Sequence, residues 1–365
     1  MNIATEKYTE ERLLSELHAP NRKVKYEYYL ADRKKHPLGQ ISVSGGVVSF
    51  DSKKSVMRTF KGTVRKSDIL SIGDVDCRLT PYMCLMVDGE WIKWPLGVFI
   101  VDLSMSGNKN RQTINITGYD NAKIAYDNKS IARFFVPKGA FYSVYISQKL
   151  GEDYNDANIA ECEKIRANPI EFDIGTRNLD TVNTMLAAIG YNQLHFDASG
   201  IPTSEPYVYP QLRDIERTYK VGRDSVIADG VNVSTNAFSV PNRFVRYTES
   251  VDSEYMIAVY TNENKQDPFS VPNRGRVITD KGSVSDIASQ ADLNNYVRMI
   301  AAQEMQKTNT IKFSTLNMPG HDFQNCLLLN IEMYGIQGRY IETAWEMDLQ
   351  PGGLMTHQCE KVVIL

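Results

Sequence analysis

Apolar residues recur with a period of two through much of the stretch from residue 22 to about 118. In KVKYEYYL (23–30) every second residue from Val24 to Leu30 is apolar or aromatic. LGVFIVDL (96–103) is instead a continuous apolar run, which is typical of a strand buried on both faces. Turn dipeptides separate these runs at short spacing, so the stretch predicts an antiparallel barrel or sandwich.

Helices are predicted in four places. TEERLLSELH (9–18) begins with a capping threonine and places three leucines on one face. GAFYSVYISQKLG (139–151) and LDTVNTMLAAIG (179–190) each end at a glycine, and the second of these has one apolar stripe. A fourth helix is predicted over 289–307 with Ser289 as its cap. YNQLHFDASGIPTSEPYVY (191–209) predicts a hairpin after the helix at 179–190. The chain therefore combines β regions with a small α+β module, and strands return from 238 onward.

Charge is distributed unevenly along a nearly neutral chain. The 365 residues carry a net charge of −3, which gives the whole molecule no nucleic-acid signature. Residues 21–66 hold 12 Lys and Arg against three acids, a local net of +9, and residues 151–180 have a local net of −5. Two solvated faces are the ordinary interpretation, and complementary docking surfaces on neighbouring subunits are the sharper one. Nucleic-acid binding by the basic stretch is a weaker alternative, because its tyrosines also fit a strand.

The sequence contains no motif that specifies a reaction or a cofactor. It has no P-loop, no dinucleotide-binding glycine pattern, no zinc-protease helix and no C-x-x-C pair. The five cysteines are odd in number and scattered, which favours reduced thiols made in a cytosol. No apolar run approaches membrane-spanning length, and the first residues are not a signal peptide. We therefore expect no catalytic residues, no metal, no cofactor and no membrane insertion by this chain.

The candidates for catalytic or ligand-binding residues are one His-x-Asp pair, one His-Asp pair and one pair of tryptophans. HFD (195–197) lies in the predicted hairpin and GHD (320–322) in a turn, and an isolated pair of this kind specifies no reaction. Trp91 and Trp94 are spaced to stack on a sugar, but packing at a sheet edge or an interface explains them better. A carbohydrate-active enzyme is the weakest of the functions considered.

The hexapeptide FSVPNR occurs twice, at 238–243 and 269–274. A repeat fold would require longer matches over several copies, which the sequence lacks. Because proline favours the start or the edge of a strand, we expect both copies to lead into strands of one β domain. Arg243 and Arg274 are then candidates for contact with a neighbouring subunit.

Several segments in combination resemble the baseplate hub proteins of phage tails. SVMRTFKGTV (55–64), PLGVFIVD (95–102) and INITGYDNA (114–122) resemble the first β domain of that family. The other segments that carry the resemblance are TVNTMLAAIGYNQLHFDASGIP (181–202), VPNRFV (240–245), the predicted helix, NMPGHDFQNCLLLNIE (317–332) and GRYIETAWEMDL (338–349). The family includes the hub of contractile tails and the structural part of the tail-associated, or tail-tip, protein of non-contractile tails. The resemblance spans roughly residues 22–365 and suggests a hub-only form without a lytic extension.

The resemblance implies a mainly β fold with α+β insertions and two similar antiparallel β-barrel-like domains. We expect an N-terminal helical arm at 1–20, a first barrel at 21–125 with about 207–237, and an inserted α+β domain at 126–206. The second barrel is expected at 238–288 with 310–365, and a helical insertion at 289–309.

The family also implies a homotrimer in which six β domains form a ring at the virion tail tip. Such a ring joins the six-fold tail tube or distal tail protein to a three-fold spike or fibre. It surrounds a channel for the tape-measure protein and for DNA, without sequence-specific binding. Assembly would occur in the cytoplasm of a bacterial host. We expect Lys34, Lys35, Lys53, Lys54, Arg243 and Arg274 at subunit or partner interfaces. Another tail component, such as a receptor-binding or distal tail protein, is the alternative.

Overall fold

The computed structural model describes residues 3–70, 77–102, 113–222, 225–228, 230–235, 238–248, 255–284, 286–287, 289–307 and 309–363. The fold is mainly β, as the sequence predicted, with one large sheet and several smaller ones. Four hydrophobic clusters divide the described residues into four units.

The first β unit follows an N-terminal helix. Its elements are α1 (Glu10–Leu17), β1 (Val24–Ala31), β2 (Pro37–Ile41), β3 (Val43–Asp51), β4 (Arg58–Arg65), α2 (Lys66–Leu70), β5 (Arg78–Val87), β6 (Glu90–Pro95), β7 (Phe99–Asp102) and β8 (Thr113–Asp120). The strands pair antiparallel in the order β3-β4-β8-β7-β5-β1-β2, with β6 also on β5. The Thr9 side chain caps α1, and Leu13 and Leu17 are fully buried in the core of this unit. The helical arm therefore docks on its own chain.

A helix–hairpin insertion leaves the first β unit after β8. It contains α3 (Ala122–Asp127), β9 (Phe134–Val136), α4 (Tyr142–Gly151), β10 (Asn158–Ile159), β11 (Ile170–Phe172), α5 (Asn178–Ala188), β12 (His195–Phe196) and β13 (Pro202–Ser204). Helix α5 and the β12–β13 hairpin confirm the sequence prediction. The apolar stripe of α5 packs into a core whose buried residues all belong to this insertion.

A sheet–helix insertion follows two short strands, β14 (Arg217–Lys220) and β15 (Asn232–Thr235). Its elements are β16 (Arg243–Thr248), β17 (Ile257–Thr261), α6 (Val271–Arg274), β18 (Thr279–Val284) and α7 (Gln290–Gln306). The three strands form a separate sheet in the order β17-β16-β18, and α7 covers one face of it. The side chain of Ser289 accepts a hydrogen bond from the Asp292 amide, which confirms the predicted cap of α7.

The second β unit consists of β14 and β15 with β19 (Asn309–Leu316), β20 (Cys326–Ile331), β21 (Ile336–Asp348) and β22 (Leu354–Lys361). The 13-residue strand β21 pairs with β20 and β22 and also with β3. Because β21 hydrogen-bonds to strands of both β units, the two units share one continuous 14-stranded sheet.

Two parts of the expected domain division differ from the strand pairing. The sequence grouped 207–237 with the first barrel, but β14 pairs with β20 and β15 with β19, both in the second β unit. It grouped 238–288 with the second barrel, but Phe244 and Ala258 bury their side chains in the cluster formed with α7. Alternation of apolar and polar residues predicts that a segment is a strand, but it does not identify the strand with which that segment pairs. Similarity between the two β units stays a prediction.

Candidate functional site

Two histidines and a glutamate meet in the interior of the second β unit. Nδ1 of His321 lies 2.6 Å from one carboxylate oxygen of Glu342, and Nδ1 of His357 lies 2.6 Å from the other. Hydroxyls complete the cluster, because Tyr219 contacts Nε2 of His321 and Thr315 contacts Nε2 of His357, each at 2.8 Å. The side chains of the two histidines and the glutamate are fully buried.

Electrostatics of this cluster favour an ionised glutamate beside a neutral His321. Burial lowers the pKa of His321 to about 4, although the Glu342 carboxylate opposes that shift. Burial alone would raise the pKa of Glu342, but the charge and hydrogen bonds of His321 and His357 lower it to about 2. The cluster is a hydrogen-bonded network that satisfies a buried carboxylate.

The donor types in this cluster also match those that bind zinc. Each Nδ1 of His321 and His357, however, lies at hydrogen-bond distance from a Glu342 oxygen. The two Nε2 atoms are bonded to hydroxyl groups. The four ring nitrogens thus have hydrogen-bonding partners, and the geometry is that of a structural network. The GHD motif had indicated one of these residues, but Glu342 and His357 carried no local signal.

Neither of the His-Asp pairs considered from the sequence forms in the structure. His195 stacks on Phe323, with ring centroids 4.2 Å apart, and Asp197 accepts hydrogen bonds from backbone amides of its own turn. Asp322 forms an ion pair with Arg58. Both motifs therefore have the structural roles of a strand residue and a turn residue.

The tryptophan pair packs at the N-terminal arm. Trp94 is buried and donates a hydrogen bond from Nε1 to the carbonyl oxygen of Ile3 at 3.0 Å. The Lys25 ammonium lies 4.3 Å from the centre of the Trp91 ring. These contacts agree with packing at a sheet edge.

Arg58 connects the two β units with a buried cation. It is 1% exposed, and its guanidinium lies 5.5 Å from the ring centre of Phe50 and 5.4 Å from that of Trp345. These two rings stack on each other with their centres 5.8 Å apart. The same group donates to the Leu96 carbonyl at 2.9 Å and to Asp322 at 2.8 Å. Phe50 is on β3 and Trp345 on β21, so this residue stabilises the pairing that joins the units.

The four lysines expected at an interface occupy different environments. Lys34 and Lys35 are exposed in the turn between β1 and β2, and Lys35 lies 3.9 Å from the exposed carboxylate of Asp156. This contact joins the basic stretch to the acidic stretch within one chain. Because both groups are largely exposed, it contributes little to stability.

Lys53 and Lys54 differ although they are adjacent. Lys54 is exposed and 3.6 Å from Asp51. Lys53 forms an ion pair with the buried Glu360 and lines a cleft of about 360 Å³ between units. Lys53 is therefore tied to its own chain.

The two FSVPNR copies contact each other directly. Arg274 donates hydrogen bonds to the carbonyl oxygens of Phe238 and Val240, at 2.7 and 2.6 Å. In return the Asn242 side chain donates to the Phe269 carbonyl at 3.2 Å. The first copy leads into β16, but the second forms the short helix α6, which differs from the expectation of two strands. Identical residues adopt different structures here because their tertiary contacts differ.

The two arginines of these copies have separate roles. Arg243 is half-buried on the face of the sheet opposite α7, where its Nε donates to the Thr261 hydroxyl. Arg274 is bonded to the first copy. Interface roles for all six basic residues stay predictions.

All five cysteines are free thiols, and burial raises the pKa of Cys84 to about 11. Among the helices that the structure describes, none has the length and apolarity needed to cross a membrane.

Comparison with solved structures places this fold among phage tail proteins. No protein-family model and no curated protein matches the sequence. The tail protein from Neisseria meningitidis MC58 matches with a TM-score of 0.64 at 12% identity, over 92% of this chain and 97% of that one. The 43 kDa tail protein of prophage MuSo2 from Shewanella oneidensis matches with a TM-score of 0.62 at 9% identity, over 92% and 98%.

A third solved structure agrees with the first two. The prophage tail protein gp18 from Listeria monocytogenes EGD-e matches with a TM-score of 0.56 at 13% identity, over 91% of this chain and 94% of that one. The chain therefore has the fold of phage tail proteins, which confirms the resemblance at the level of the fold.

Proposed function

We propose that this protein is a structural component of a phage tail, and that it forms the hub of the tail tip. The observation that carries the proposal is the match to two solved tail proteins over 97% and 98% of their lengths. A match of that extent includes the insertions as well as the β units, so the likeness is to the whole architecture. Fold alone does not specify function, and the remaining support comes from the features of this chain.

Those features are typical of a structural protein. The β units are joined through one strand, β21, and crosslinked by the buried Arg58. The histidine–glutamate cluster is closed by hydrogen bonds within the second β unit. Neither His-Asp candidate is assembled for acid–base chemistry, and no catalytic step is part of this proposal.

In the proposed assembly three copies form a ring at the tip of the tail. Each copy contributes two β units, so the three copies together present six β domains. These match a six-fold tube on one side of the ring. The three-fold symmetry of the copies matches a spike or fibre on the other. The tape-measure protein and the DNA would occupy the channel without sequence-specific contacts, and assembly would take place in the host cytoplasm.

Deletion of the gene from a particle-producing host, followed by electron microscopy of the particles, tests this proposal. We expect particles without a complete tail, and restoration when the gene is supplied in trans. Light scattering of the purified chain, alone and with the tail tube protein, should give the mass of a trimer. Complete tails in the deletion strain would contradict the hub role. Complete tails that fail to adsorb to cells would instead support a receptor-binding protein.

A further inference from the structure

One face of the sheet–helix insertion is exposed, apolar and basic. In the three-stranded sheet Val245 pairs with both Val259 on β17 and Lys281 on β18, so these side chains lie on the same face. Ile257 and Arg243 lie on it too, and Val259 is 56% exposed. We call these five residues the sheet face. None of the nine positions on this side of the three strands is acidic.

A second exposed face, on the helix–hairpin insertion, is apolar and acidic. Phe141, at the start of α4, forms a β-bridge with Ile165, and Val144 follows one turn into the helix. Phe141, Val144 and Ile165 are 46%, 57% and 49% exposed. Glu161 and Glu163 precede Ile165 at a spacing of two and are also exposed. We call these five residues the helix face. Among the described residues, neither glutamate takes part in an ion pair.

The two insertions are joined at a junction of polar contacts, which is separate from the sheet face and the helix face. Arg166 forms an ion pair with Asp286, and both side chains are buried. The Tyr142 hydroxyl donates to the same carboxylate at 3.0 Å, and Lys164 lies 2.7 Å from Asp292 in the first turn of α7. Buried, geometrically defined contacts of this kind hold two units at a fixed angle.

Alternation of side chains sets the direction of each face relative to this junction. Lys164 and Arg166 contact the sheet–helix insertion, whereas Glu163 before them and Ile165 between them are exposed and project away from it. In the other insertion Phe244 packs toward α7, and Val245 beside it projects away. Because both faces point away from the shared junction, each is open to a second molecule.

We propose that the sheet face of one copy of this chain binds the helix face of a second copy. Both faces have an apolar centre, and their charges are opposite, with Arg243 and Lys281 on one and Glu161 and Glu163 on the other. A contact between two different faces of identical chains is heterologous, so it repeats from copy to copy and closes into a ring at a suitable angle. The inference rests on the proposed ring and identifies one of its interfaces.

Sedimentation velocity of the full-length chain over a concentration series tests this interface. The single substitutions Val259→Asp and Ile165→Asp each introduce a charge at an exposed position and leave the buried cores unchanged. We expect each variant to raise the dissociation constant for self-association at least about tenfold, which corresponds to about 1.4 kcal/mol. Circular dichroism and the unfolding midpoint should match those of the wild type. Ile131→Asp is the matched control, because Ile131 is 95% exposed in the same insertion and outside the helix face.

Mixing the two variants distinguishes this interface from other forms of association. The Val259→Asp chain retains a wild-type helix face, and the Ile165→Asp chain retains a wild-type sheet face. An equimolar mixture should therefore form a species of two chains and nothing larger. Wild-type association in both variants, a monomeric mixture, or a wild-type chain that is monomeric throughout would each overturn the interface. Gene deletion tests the hub role separately. Tail formation can require this chain even if the sheet face and the helix face do not bind each other.

Discussion

Arg166 and Asp286 form an ion pair that buries both side chains between the helix–hairpin insertion and the sheet–helix insertion. They are 120 residues apart in sequence. Substitution Arg166→Ala would leave the Asp286 carboxylate buried without its cation, so we expect a loss of about 3–5 kcal/mol in the free energy of unfolding. Urea denaturation followed by circular dichroism measures this loss.

The control for Arg166 is Arg133→Ala. Arg133 forms an ion pair with Glu171 at 2.9 Å, but both side chains are substantially exposed. Solvent screens that pair, and we expect a change below about 1 kcal/mol. Equal losses in the two variants would contradict the structural role of the buried pair.

The histidine–glutamate cluster predicts that acid destabilises the protein. Unfolded His321 takes up a proton near pH 6.5, but the folded residue has a pKa of about 4, so stability falls as the pH falls between these values. Glu342 acts in the same direction from 4.5 down to its folded pKa of about 2. Each proton contributes at most about 1.4 kcal/mol per pH unit. Asp120 opposes the trend, because burial raises its pKa to about 6.

Comparison of variants isolates the contribution of His321. His321→Gln should flatten the fall in unfolding free energy between pH 6.5 and 4, whatever its effect on absolute stability. His36→Gln, which removes an exposed histidine outside the cluster, is the control variant. An unchanged slope in His321→Gln would disprove the assignment.

We expect Arg274 to stabilise the sheet–helix insertion because its guanidinium donates to two carbonyl oxygens at once, and not only because it is charged. Both Arg274→Ala and Arg274→Lys remove at least part of the pair of bonds to Phe238 and Val240. We expect each to cost about 1–3 kcal/mol and to speed amide exchange in β16, because the partly buried bond to the Val240 carbonyl is lost or weakened. The Phe238 carbonyl keeps its hydrogen bond from Arg276. Lys265→Ala, at an exposed position of the same insertion and outside the sheet face, should change stability by less than about 0.5 kcal/mol. Full retention of stability by the lysine variant would show that charge alone suffices.

We expect the lysines of the basic stretch to have two different roles, one in the stability of the fold and one in assembly. Lys53→Glu places a like charge beside the buried Glu360, and we expect it to lower stability by about 1–3 kcal/mol. The triple variant with Lys34, Lys35 and Lys54 changed to Glu should fold within about 1 kcal/mol of the wild type, because these lysines are exposed. Reduced particle formation by the triple variant would support a docking role, and normal particle formation would refute it.

Local patterns were enough to predict α1, α4, α5, α7 and the hairpin, but they did not predict the short helices α2, α3 and α6. The cap of α7 at Ser289 and the apolar stripe of α5 depend on residues three or four positions apart, which the sequence displays directly. The β class was also predictable from alternation. The position of Lys35 near Asp156 was not, since no local rule relates those two stretches.

The sequence by itself determined the kinds of element in this protein, because capping, periodicity and turn formation act between near neighbours. Only the tertiary structure decided that β14 pairs with β20, and that one hexapeptide leads into a strand at Arg243 but forms a helix ending at Arg274. It also brought His321, Glu342 and His357 together. These outcomes depend on contacts between distant residues, which form only when buried surfaces and hydrogen-bonding groups find their partners across the fold.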